Sequence, residues 1–138
     1  MRVIAGTYKG RKLESPENYD IRPTTDKAKE ALFSILMNEI PGSRVLDLFA
    51  GSGALGIEAL SRGAESCVFV DHSRLSTALI KRNLASCGVR GLILLPARKI
   101  SPLSLVSAPV SILISVDFPA PFSPHSAWTS PARSVKLT

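Results

Sequence analysis

Ten consecutive residues, Asp47-Leu48-Phe49-Ala50-Gly51-Ser52-Gly53-Ala54-Leu55-Gly56, put a carboxylate, an aromatic ring and three glycines into one short segment. Glycine lets the backbone turn sharply and come close to a bound molecule. Asp71 lies 18 residues beyond Gly53 and follows the apolar run Cys67-Val68-Phe69-Val70. A carboxylate has acceptor capacity for both hydroxyls of a ribose. Together these residue types suit the recognition of a ligand that carries a nucleoside.

Two ligands compete for such a turn. Gly51-x-Gly53-x-x-Gly56 satisfies the dinucleotide pattern literally, which admits a nicotinamide-dependent oxidoreductase. Asp47 argues against it. A dinucleotide would bring an anionic pyrophosphate to a turn that a carboxylate precedes. S-adenosylmethionine carries an ammonium and a sulfonium instead, and at ~4 Å with an effective dielectric of ~20 a charge pair is worth up to ~4 kcal/mol before desolvation. An ordinary helix-start turn behind a strand-end acid is the third, bland reading, and Asp71 weakens it.

The remaining chemistry-bearing residues give less. Four basic residues, Arg2, Lys9, Arg11 and Lys12, fall between positions 2 and 12 with no acid among them, and the net charge is +6. A polyanion such as RNA fits that balance, as does a solvated basic arm. His72 and His125 have no Ser/Asp or Cys constellation at motif spacing, and His72 reads as a solvent-facing loop residue. Cys67 and Cys87 have no CxxC and no nearby histidine, as expected of reduced buried thiols in a cytoplasmic protein without a metal site. No stretch approaches the ~20 apolar residues of a membrane helix, and the N-terminus lacks the apolar run of a secretory signal.

The elements that must position these residues follow from periodicity. Val3–Ala5 and Arg11–Leu13 suit a short β-hairpin. Thr24-Thr25-Asp26 supplies a hydroxyl cap and an acid for a helix ended by Pro41-Gly42, whose buried face is expected at Ala28, Ala31, Leu32, Ile35 and Leu36. Arg44–Phe49 reads as a strand, Ala54–Arg62 as a helix closed by Gly63, Cys67–Val70 as a strand, and Ser73–Ser86 as a helix capped by Ser73. Leu92–Leu95 is a candidate third strand. Alternating strands and helices imply an α/β, doubly wound parallel sheet.

The chain changes character near residue 91. All nine glycines and ten of eleven acidic residues precede that point, whereas the last 47 residues hold seven prolines, nine serines and one acid, Asp117. Three segments are expected: an N-terminal hairpin and helix over 1–42, a ligand-binding half-domain over 43–95, and a Ser/Pro-rich tail over 96–138. Out-of-frame translation and a genuine partner-binding tail are both compatible with that tail. With no later strands supplied, the first strand would be an unpaired apolar edge and the protein marginal and aggregation-prone.

Residues 1–91 resemble the small-subunit (16S) ribosomal RNA guanine-N2 methyltransferases, RsmD-like. Four features carry the resemblance: Arg2-Val3-Ile4-Ala5-Gly6 with Lys9-Gly10-Arg11-Lys12-Leu13; Arg22-Pro23-Thr24-Thr25-Asp26; Glu30-Ala31-Leu32-Phe33-Ser34-Ile35-Leu36; and Asp47-x-Phe49-Ala50-Gly51-Ser52-Gly53. It implies a class I S-adenosylmethionine-dependent methyltransferase fold, Rossmann-like but incomplete here, acting on ribosomal RNA or the small ribosomal subunit. It further implies that Asp47, Phe49, Gly51, Gly53 and Asp71 bind S-adenosyl-L-methionine and that Arg2, Lys9, Arg11 and Arg22 face RNA phosphates. A salt bridge anchoring the turn is the other reading for Arg22.

The resemblance stops at the catalytic motif. Amine methyltransferases of this kind carry Asp/Asn-Pro-Pro-Tyr/Phe after the fourth strand, where the acid or amide accepts from the target amine and the ring stacks on the flipped base. The nearest string is Asp117-Phe118-Pro119-Ala120-Pro121-Phe122, preceded by the apolar run 111–116. Phe118 and Ala120 interrupt it, so Asp117 is the sole catalytic candidate and is not expected to work. Impaired methyl transfer is therefore the leading expectation, and a non-catalytic RNA- or S-adenosylmethionine-binding half-domain the alternative.

Overall fold

The structure, a computed structural model, describes residues 1–15 and 24–89, together with the backbone of two further strands at 94–96 and 112–115. The order of elements is α1 (Asp26–Ile35), β1 (Arg44–Leu48), α2 (Ala54–Ser61), β2 (Ser66–Asp71), α3 (Arg74–Ser86), β3 (Leu94–Pro96) and β4 (Ile112–Ser115). The four strands form one sheet in the order β3-β2-β1-β4, with every pairing parallel. This is the α/β arrangement expected from the alternating pattern. Its strand order reverses between β1 and β4, the switch point at which such sheets bind ligands.

That topology corrects one expectation. β1 is not an edge: Val45 to Leu48 pair with Ile112 to Ser115 of β4. The short run Ile112-Leu113-Ile114 is apolar enough to be buried, but its flanking prolines hid it among loop signals. β1 is therefore hydrogen-bonded on both sides, with β2 on the other.

The hairpin forms, though with little ladder. Arg2 and Lys12 make an antiparallel bridge, Val3 N–H donates to Arg11 O at 3.0 Å, and Leu13 N–H donates to Met1 O at 2.9 Å. Val3 and Leu13 point inward and are buried.

α1 starts as expected, with the Thr25 hydroxyl accepting from Ala28 N–H at 3.2 Å. Its buried face is rotated from the expected one. Ala28, Ala31 and Ile35 are exposed, and Lys29, Phe33 and Leu36 are buried. The cause is electrostatic as well as apolar, because Lys29 turns inward to an acid on α2. Phe33, fully buried, contributes roughly 1.5–3 kcal/mol from apolar burial.

The helices that flank the sheet end where their local signals stand. α2 closes at Arg62, followed by the left-handed Gly63, and Ser73 caps α3 by accepting from Ser76 N–H, both as expected; the N-cap of α2 is Gly53, the last residue of the turn. α2 packs so closely on β2 that a Cβ at Gly56 would lie 2.3 Å from Phe69 Cε1 and 2.6 Å from Cys67 Sγ. Any larger residue there must push aside the Phe69 ring or the Cys67 thiol. The core lies between these helices and the sheet, where Val45, Ile57, Phe69, Ile80 and Leu84 join Phe33 and Ile40. Both cysteines are buried and unpaired with each other.

Candidate functional site

The turn after β1 takes its shape from three residues with positive φ: Phe49 at 58°, Gly51 at 56° and Gly53 at 78°. For glycine that conformation is unstrained; for Phe49 it costs roughly 1–2 kcal/mol. Strain of this sort is tolerated where the surroundings over-determine the backbone, and such places cluster at ligand sites. The Phe49 side chain is 62% exposed at the rim of the turn.

Nearly every peptide of the turn is held. Ala50 N–H donates to Val70 O at 2.9 Å, and Gly53 N–H donates to Ala50 O at 2.7 Å. Gly51 N–H donates to Asp71 Oδ2 at 2.8 Å, which ties the turn to the end of β2. Ser52 O accepts from Asn83 Nδ2 at 2.9 Å. The first turn of a helix leaves N–H groups without helical partners; in α2 one of these, on Gly56, donates to Asp47 Oδ2 at 2.9 Å.

The two acids of the site differ in role. Asp47 lies beneath the turn, 1% exposed. Burial pushes its carboxyl up to about 7; the Gly56 N–H opposes that rise and the nearby Asp71 carboxylate adds to it. Asp47 thus supports the turn from below, and any attraction to a cationic ligand acts through its field and not by contact. Asp71 sits at the carboxyl end of β2, its Oδ1 accepting from Ser73 N–H at 2.8 Å and its Oδ2 from Gly51 N–H. Each carboxylate oxygen retains a further lone pair. His72 beside it is exposed, as the sequence suggested.

The basic residues lie elsewhere. Lys9 and Arg11 are exposed on the hairpin. Arg2 is exposed too, with Nε 3.2 Å from Asp26 Oδ2, a surface pair worth about 0–1 kcal/mol. Arg22 and Asp117 fall outside the described residues. The structure therefore gathers Asp47, Phe49, Gly51, Gly53 and Asp71 into one place, with Arg2, Lys9 and Arg11 on a separate arm.

Sequence reasoning missed the residues that hold that arm. Glu58 is the single charged residue of α2 and is fully buried. Its carboxylate accepts from Ile4 N–H at 2.8 Å, Ala5 N–H at 3.0 Å and Arg62 Nε at 2.8 Å. Lys29 Nζ stands 3.5 Å from the same carboxylate and donates to Arg2 O. Burial pushes the Lys29 ammonium down and Glu58 opposes that shift. The Ser61 hydroxyl accepts from Tyr8 N–H at 2.9 Å. A lone acid inside an otherwise apolar, small-residue helix was the available signal.

A family model described as conserved hypothetical protein 95 matches residues 1–110. The chain belongs to this family. The match runs past residue 91, where the composition changes. Among curated relatives, Ribosomal RNA small subunit methyltransferase D of Escherichia coli K12 is 44% identical over 86 residues, 62% of this chain and 43% of that protein. The match thus spans less than half the length of that relative. Among solved structures, a hypothetical protein of Thermus thermophilus superposes with a TM-score of 0.68 at 24% identity over 99% of both chains. Precorrin-6y C5,15-methyltransferase of Geobacter metallireducens superposes with a TM-score of 0.62 at 14% identity, covering 83% of this chain and 72% of that one. At such identities these likenesses show the fold alone, and that fold is the class I methyltransferase sheet of this conserved hypothetical protein 95 member.

Proposed function

We propose that the chain binds S-adenosyl-L-methionine at the turn between β1 and α2 and belongs to the machinery that methylates the exocyclic N2 amine of a guanine in small-subunit ribosomal RNA. The observation that carries the reading is the position of the turn. It stands at the strand-order switch point, with an acceptor carboxylate, Asp71, at the end of the neighbouring strand. The residues fit the donor. Gly51 has no side-chain neighbour where a Cβ would stand, which leaves its backbone open to close approach, Asp71 has lone pairs for ribose hydroxyls, and the buried Asp47 provides negative potential beneath the turn as it ionises through about pH 7. When bound, S-adenosylmethionine supplies an electrophilic methyl on sulfur. The protein's part is to orient it, and to bring RNA phosphates to Arg2, Lys9, Arg11 and Arg22.

The acceptor side is weaker. The sequence has no Asp/Asn-Pro-Pro-Tyr/Phe string, and β4 ends at Ser115, two residues before Asp117. Transfer by this chain is therefore expected to be impaired, and a half-domain that binds donor and RNA without catalysis is the second reading. The nicotinamide reading has Asp47 against it.

A methyl-transfer assay with labelled S-adenosylmethionine and small-subunit RNA, run beside direct donor binding in a cytoplasm-like buffer, tests the proposal. Donor binding with slow transfer to guanine N2 supports it. Donor binding with no transfer favours the binding module, and NADH binding with no donor binding would overturn the reading.

A further inference from the structure

Asn83 stands outside the set of residues that the sequence marked for the site, yet its side-chain amide hydrogen-bonds to the backbone of both the turn, at Ser52, and the N-terminal arm, at Glu14. It lies on α3 and is 1% exposed. Its Oδ1 accepts from Glu14 N–H at 2.8 Å, and its Nδ2 donates to Glu14 O at 3.1 Å and to Ser52 O at 2.9 Å. The amide treats Glu14 as a strand neighbour would, using both backbone groups, and spends its second N–H on the carbonyl at the centre of the turn. Only a side-chain amide can do this, because a carboxylate has no donor and an apolar isostere has neither group. With both N–H groups used, no side-chain atom of this buried residue is left unpaired.

The geometry on either side makes the contact consequential. Ser52 lies between the two left-handed glycines and is itself buried, its hydroxyl 3.9 Å from Met1 Sδ. Glu14 is anchored a second time on α3 by its ion pair with Arg82 at 2.8 Å, and the far part of the arm is fixed to α2 by Glu58. The Asn83 amide thus hydrogen-bonds arm and turn backbone together, beside the longer Ser52–Met1 contact.

We propose that Asn83 is a positioning residue that couples donor binding at the turn to the order of the arm, so that the donor-loaded chain presents a better-fixed RNA-facing surface. The inference rests on the donor-binding reading above. A ligand that holds the Ser52 carbonyl in place reduces the freedom that Glu14 has through Asn83, and coupling of this type changes an equilibrium about 5–150-fold.

Amide hydrogen exchange on the intact 138-residue chain, with and without saturating S-adenosylmethionine, reads this directly. The expected result is that the donor slows exchange at Glu14 about ten-fold, that Asn83→Asp removes this slowing, and that Glu14→Ala, which loses only the Arg82 pair, keeps it. A purely structural Asn83 would lower the melting temperature in Asn83→Asp without abolishing the donor-dependent slowing. Should Asn83→Asp fail to fold, the wild-type chain still decides: its Asn83 side-chain NH2 resonance must shift with the same donor dependence as the Glu14 amide. Donor binding seen by calorimetry with Glu14 and Asn83 unaffected overturns this inference alone. Absence of any donor binding overturns the donor reading and this inference with it.

Discussion

At the scale of single residues, Asp47 carries the sharpest consequence. Its carboxyl is raised from 3.8 to about 7 by burial. Between those values the folded protein holds a proton that the unfolded chain has released, so stability falls as pH rises from ~4 to ~7 and levels off above. The shift corresponds to a loss of up to ~4 kcal/mol across that window. Asp47→Asn keeps an acceptor for Gly56 N–H and removes the titration; urea unfolding at several pH values should show a shallower fall between pH ~4 and ~7 and higher stability at pH 8 than wild type. The donor reading adds that S-adenosylmethionine binds more tightly as pH rises through about 7 in wild type, where the ionised acid attracts the cation, and loses that dependence in the variant. Gly56→Ala gives a second test. Its new methyl would meet Phe69 and Cys67, so a loss of ~1–3 kcal/mol in thermal unfolding is expected. These residues were legible as types, since acid and glycines at this spacing name a turn. Whether Asp47 faces the ligand or lies below it was not legible, because burial depends on how α2 seats against β2.

At the scale of elements, the hairpin and α1 depend on α2 through charge. Glu58→Ala would strand Lys29, Ile4 N–H and Ala5 N–H around a cavity, and removing one partner of a buried pair costs about 3–5 kcal/mol. Chemical unfolding should register that loss, and limited proteolysis should cut within residues 1–15 first. A variant as stable as wild type would mean that the arm docks by apolar contacts alone. The sequence placed α2, α3 and the start of α1 within a residue or two, because Thr25, Ser73 and Gly63 are local signals, whereas α1 ends at Ile35, short of the expected Pro41-Gly42. It misplaced the buried face of α1. Apolar spacing counts Ala28, Ala31 and Ile35 and gives no weight to a lysine, whereas the fold turns Lys29 inward to Glu58, 29 residues away. Local periodicity cannot see a charge pair that only tertiary packing creates.

At the scale of the whole molecule, β4 decides whether the half-domain is a sheet with a switch point or a strand with a bare edge. It comes from the part of the chain whose composition looked foreign, and its four residues between proline-rich flanks resemble any loop until β1 offers them a partner. A chain ending after residue 96 should lose its cooperative thermal transition and aggregate, as judged by light scattering, while the 138-residue chain melts cooperatively and stays monodisperse. Equal behaviour of the two would remove β4 from the account. The parallel α/β class was readable from alternation alone, but the strand order, which puts the turn at the switch point, required the non-local pairing of residue 45 with residue 112.

The central claim is that this turn is built for S-adenosylmethionine. Titration calorimetry of the intact chain with S-adenosylmethionine at pH 8, with NADH as the comparison ligand, tests it most directly. The account predicts saturable one-to-one binding of the methyl donor, lost in Asp71→Ala, and none of NADH. Heat from NADH alone, or donor binding indifferent to Asp71, would contradict it.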